Sequence, residues 1–99
     1  MTRSEITDAW KRFTALPYPT ASTGLADIRG VDAISTDTFL AGCISYFVEM
    51  GSLDPERVNI AQSACRDLKT ILPHLPKDGR EYFELLLQLG LAVIERSRH

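Results

Sequence analysis

The chain has 99 residues, of which 44% are apolar and 24% charged, with a formal net charge of −2. That is the make-up of one soluble globular domain, with no length left for a second core. The even charge balance argues against a disordered tail or a general nucleic-acid binder, and five Pro and six Gly are too few for a low-complexity chain. No apolar run of signal-peptide length follows Met1-Thr2-Arg3-Ser4-Glu5, so the cytoplasm is the expected location. The most apolar stretch, residues 82–94, contains Glu84 and Gln88. It is well short of the roughly 20 apolar residues of a spanning helix, so no membrane association is expected.

The first helix is predicted over 4–14. Ile6, Ala9, Trp10 and Phe13 fall at helical spacing, Thr2 and Glu5 have the spacing of a capping box, and Ser4 competes as the cap. Pro17 and Pro19 end it. Trp10, Phe13 and Tyr18 with these two prolines form an aromatic cluster, read either as a lid on the bundle or as a partner pocket. Residues 15–35 are the least regular part of the chain. Thr23 as a cap, Gly30 as a stop, and Leu25 and Ile28 three apart predict a single short turn of helix in this crossover.

The second helix is predicted over 36–50, with Ser35, Thr36 and Asp37 as cap candidates and a negative first turn. Phe39, Leu40, Cys43, Ile44, Phe47 and Val48 repeat with a helical period, and Gly51 stands where a C-terminal cap is needed. The third helix, 55–72, has the clearest start: Asp54 caps and Pro55 takes the first helical position. Its apolar stripe is Val58, Ala61, Cys65, Leu68 and Leu72, widened by Ile60, Ala64 and Ile71, and Pro73 and Pro76 close it. The fourth helix, 78–96, opens on Asp78 and Glu81, spaced as a capping box. Its polar face is narrow, since Glu84, Gln88, Leu91 and Glu95 line up and one of them is leucine. A helix so apolar around its circumference is either central or covered by a second chain. Gly90 inside it costs about 1 kcal/mol of helix propensity relative to Ala, which a close helix crossing would explain.

Charge is distributed unevenly. Residues 27–56 hold Asp27, Asp32, Asp37, Glu49, Asp54 and Glu56 against Arg29 alone, while residues 57–80 hold Arg57, Arg66, Lys69, Lys77 and Arg80 against Asp67 and Asp78. Either the third helix pairs with the acidic segment across a seam inside the fold, or Asp27, Asp32 and Asp37 form an acidic docking face for a basic partner.

No catalytic constellation stands out. His74 and His99 have no ligand spacing to each other or to Cys43 and Cys65, so no metal site is expected. The two cysteines sit among apolar residues and read as buried thiols. A Cys65–His74 nucleophilic pair would place its thiol on the core stripe, where thiols are inert. Gly24 and Gly30 lack the lysine of a phosphate-binding loop, and residues 32–40 do not have the carboxylate spacing of a calcium loop. No cofactor is expected.

The expected fold is all-α: a bundle of four helices in one domain, 1–99, with up-down connections between the last three and the first helix packed across them. The leading functional expectation is a non-enzymatic protein–protein interaction module (an adaptor, antitoxin or immunity-type inhibitor). Its expected contact residues are Trp10, Tyr18, Tyr82, Phe83, Leu87 and Leu91, and its second expectation is a homodimer through the fourth helix or the second. A small-ligand-binding protein or enzyme with a pocket between the bundle and residues 15–35 is the alternative. A DNA-binding regulator is the third, reading with Arg57, Asn59, Gln62, Arg66 and Lys69 on the 55–72 helix; the acidic preceding helix argues against it.

Overall fold

The computed structural model describes residues 1–17 and 32–98. They form α1 (Arg3–Thr14), α2 (Ala33–Met50), α3 (Pro55–Ile71) and α4 (Lys77–Ser97), with a 3-10 turn at Leu72–His74 and no strand among the described residues. The all-α bundle expected from the sequence is therefore the observed fold. The helical turn expected in the 15–35 crossover, with Tyr18 and Asp27, falls on 18–31, outside the described residues.

Local chemistry explains most of the helix ends. Thr2 and Glu5 close a capping box, the Thr2 N–H donating to the Glu5 carboxylate at 2.8 Å and the Glu5 N–H to the Thr2 hydroxyl at 3.1 Å. α2 starts three residues earlier than expected. Asp32, not Ser35 or Thr36, is the cap: its carboxylate accepts from the Ile34 and Ser35 N–H groups at 3.0 and 3.2 Å, and this holds it ionised, with its pKa below the ordinary carboxylate value. Asp54 caps α3 by accepting from the Arg57 N–H at 2.8 Å, with Pro55 next in line. α2 ends on Gly51 at φ 86°, the left-handed conformation that glycine adopts without a Cβ penalty, and the Gly51 N–H donates to the Phe47 carbonyl at 2.7 Å. α4 departs from expectation. It begins at Lys77 behind Pro76 with no side-chain cap, so Asp78 lies inside the first turn, where it cannot act as the cap residue.

Four contacts give the direction of each helix. The Leu53 N–H, between α2 and α3, donates to the Ser97 hydroxyl at the end of α4 (2.9 Å). The Tyr82 hydroxyl near the start of α4 donates to Asp37 near the start of α2 (3.2 Å). Phe13 at the end of α1 lies against Tyr82 (ring centroids 4.7 Å), while Arg3 at its start lies beside Gly51. α2 and α4 thus run one way, and α1 and α3 the other, so α1 continues the up-down pattern instead of packing across the other three as expected.

The core is one cluster, with Ile6 and Phe13 from α1, Leu40, Ile44 and Phe47 from α2, Leu68 and Ile71 from α3, and Phe83, Leu86, Leu89 and Val93 from α4. α4 packs on all three other helices, and of its large apolar residues only Leu91 is exposed, at 42%. Of the two alternatives its apolar circumference offered, α4 takes the central position, with α1, α2 and α3 packed around it. At Gly90 the helices cross so closely that a Cβ would stand 2.8 Å from the Cys65 Sγ and 2.9 Å from both Leu40 Cδ atoms.

Candidate functional site: the grooves flanking helix α3

Two open grooves run beside α3, one on the α2 side and one on the α4 side. The first is a cleft of about 520 Å³ with Phe39 and Ile60 on its walls, Thr36 and Ala64 in its floor, and Asp32, Ser35, Ser63 and Asp67 around it. Phe39 is 60% exposed and Ile60 41%. On the same side of α2, outside the cleft, half-buried Tyr46 is two turns from Phe39, and Met50, 63% exposed, is three turns away. Lone exposed apolar residues are ordinary, but two that line one concavity from different helices mark a candidate contact surface.

The charges along and beyond this groove are unevenly matched. Near the start of α3, the Arg57 guanidinium pairs with the Asp54 carboxylate and lies 3.9 Å from the centroid of the Tyr46 ring, so its charge is already matched. In the groove itself stand Asp32 and Asp67. Arg57–Asp54 is the one ion pair among the described residues, so Asp67 meets no cation there. The interpretation in which α3 neutralises the acidic segment across a seam gains nothing from such pairing.

The second groove, of about 360 Å³, lies between α3 and the last turns of α4. Gln62, Arg66 and Lys69 line it from α3, Leu91 and Ile94 from α4, and Arg98 just beyond. Cys65 forms part of its wall. Burial pushes the Cys65 thiol up to about 11, only partly offset by nearby Lys69, so the sulfur stays protonated and unreactive at neutral pH. Cys43 is likewise free and buried, with its pKa raised by burial.

The residues expected at an interface are scattered. Trp10 stacks on Phe13 (5.6 Å), Phe13 meets Tyr82 at a tilt, and Tyr82 meets Phe83 edge-on (5.0 Å). These four rings form a continuous ladder between α1 and the first turns of α4; Tyr18 and Pro19 of the expected cluster lie outside the described residues. Phe83 is fully buried and cannot reach a partner from the folded chain. Leu87 is half-buried against the core, and Leu91 borders the second groove. Of the acidic docking residues, Asp32 is at the first groove. Asp37 lies apart from the groove, half-buried, with its carboxylate accepting from the Tyr82 hydroxyl. Phe39, Ile60 and Asp67 were not expected at a site. Their signal is angular: Phe39 sits about 105° around α2 from the Leu40–Ile44–Phe47 direction, at 100° per residue.

Burial raises the pKa of Asp37 above the ordinary carboxylate value, only partly offset by the hydrogen bond from Tyr82. The native state then holds this proton more tightly than the unfolded chain, so the contribution of Asp37 to stability falls as pH rises through its folded pKa. Asp37→Asn stays neutral and still accepts from Tyr82. Its stability relative to the unsubstituted protein is expected to rise from about pH 4 to about pH 7, read as urea midpoints; a gap constant over that range would refute the assignment.

Among the described residues no three His, Cys, Asp or Glu side chains come together to hold a metal ion, and no helix is long and apolar enough to cross a membrane. His74 is exposed in the 3-10 turn and shares no hydrogen bond with Cys65. The ligand pocket expected against residues 15–35 involves 18–31, outside the described residues. Compared with protein-family models, curated proteins and solved structures, the chain matches none of them significantly.

Proposed function

We propose that this protein is a non-enzymatic interaction module whose α2/α3 groove takes a basic amphipathic helix from a protein partner, in the manner of an adaptor or inhibitor. The observation that carries this is the pair of exposed apolar side chains, Phe39 and Ile60, that line one cleft together with Asp32 and Asp67. A helix laid in such a groove buries its apolar face on Phe39 and Ile60 and brings flanking lysines or arginines to the two carboxylates. Aromatic anchors at the centre of a groove carry most of the binding energy in such contacts.

The test uses a fluorescein-labelled Leu/Lys amphipathic helical peptide and its Leu/Glu counterpart. The Lys peptide is expected to bind and the Glu peptide not. Phe39→Asp and Ile60→Asp should each weaken binding about 30-fold while the thermal midpoint holds. Phe39→Asp adds a negative charge, so an association driven by charge alone would strengthen instead, and that result overturns the proposal. Self-association of the free protein that Phe39→Asp abolishes would assign the groove to a second copy and also overturn it. So would a loss of more than about 1 kcal/mol of stability in Phe39→Ala, because the groove would then be filled from within the chain.

A further inference from the structure

We infer that the α3/α4 groove is a separate binding site for a small anionic ligand with an apolar body, held by Arg66, Lys69 and Arg98 over Leu91 and Ile94. Three cations and the Gln62 amide border one concavity of about 360 Å³, within the range of small-ligand sites. None of the three cationic side chains is in an ion pair among the described residues. Glu95 lies one turn beyond Leu91 on α4, yet it neither lines the groove nor pairs with its cations. The chain carries more acids than bases, so three uncompensated cations around one cleft run against its overall charge.

The arrangement is that of an amphipathic site. Gln62, Arg66 and Lys69 follow one another at four and three residues, so they share a face of α3. Arg98 enters from the end of α4, and the apolar side chains lie between. A carboxylate or phosphate would take charge-assisted hydrogen bonds from the guanidinium and ammonium groups, while the body of the ligand would cover Leu91, the one large apolar residue of α4 left exposed. The protonated Cys65 thiol behaves as a further apolar wall.

The experiment is a titration followed by backbone amide NMR, with octanoate, phenyl phosphate, inorganic phosphate and octylamine as probes. Saturable shifts confined to residues 62–69 and 91–98 are expected with octanoate, phenyl phosphate or both; which of the two binds tells a carboxylate source from a phosphate source. Arg66→Ala with Lys69→Ala should weaken that binding at least tenfold without moving the thermal midpoint, and Phe39→Asp should leave it unchanged, which separates this site from the α2/α3 groove. Octylamine binding as tightly as octanoate, inorganic phosphate binding as tightly as phenyl phosphate, or no saturable shift with either anion would each overturn the inference.

Discussion

Phe83→Ala is expected to cost about 3–5 kcal/mol of folding free energy, whereas Phe39→Ala should cost less than about 0.5 kcal/mol. The two residues are chemically identical and both lie on long helices. Phe83 is fully buried, with Tyr82 edge-on at 5.0 Å. Removing its ring leaves a cavity that helices cannot collapse into without moving, and it also removes an aromatic contact. Phe39 is 60% exposed and leaves little void. In a domain of this size the Phe83 loss corresponds to about 12 °C or more in melting temperature. Paired thermal or urea unfolding of the two variants checks this, and equal losses would show that the core and groove assignments are wrong.

Gly90→Val is expected to destabilise the protein by about 3 kcal/mol even though it raises helix propensity. On an isolated helix the change would help. Here the first carbon added would already stand 2.8 Å from the Cys65 Sγ and 2.9 Å from the Leu40 Cδ atoms, and both neighbours are buried in the core, so neither can swing into solvent. A double-mutant cycle separates crowding from other causes: the cost of Gly90→Ala should shrink when Leu40 is also replaced by alanine. If that cost is the same in both backgrounds, the crossing is not what requires glycine.

Much of the fold was legible locally. The Thr2–Glu5 box, Asp54-Pro55 and Gly51 are short-range devices, each satisfying backbone groups within a few residues, and all three form where expected. The misses had rivals of the same kind. Asp32 took the α2 cap from Ser35 and Thr36, because its carboxylate reaches two N–H groups at once. Asp78 and Glu81 had the right spacing for a cap, but α4 begins at Lys77 behind Pro76.

The site was much less legible, because it depends on which helices become neighbours. The α4 sequence suggested an excess of apolar surface, yet α4 is central and spends that surface on α1, α2 and α3. The real excess is on α2, whose apolar arc is wider than one core-facing stripe. Leu40, Ile44 and Phe47 fill the stripe, and Phe39 is left outside it. Asp37 and Asp32 look alike in sequence, but one meets the Tyr82 hydroxyl and the other borders the groove.

For this protein, then, periodicity and capping in the sequence determined a bundle of four helices and where most of them start and stop, since those choices rest on contacts within a turn or two. Only the tertiary structure decided that α4 lies at the centre, that Gly90 is a crossing point, and that α3 is flanked by an acidic-rimmed apolar groove on one side and a cationic one on the other. Such features arise where side chains from different helices meet, and the spacing of residues along one helix does not say which face the next helix will cover.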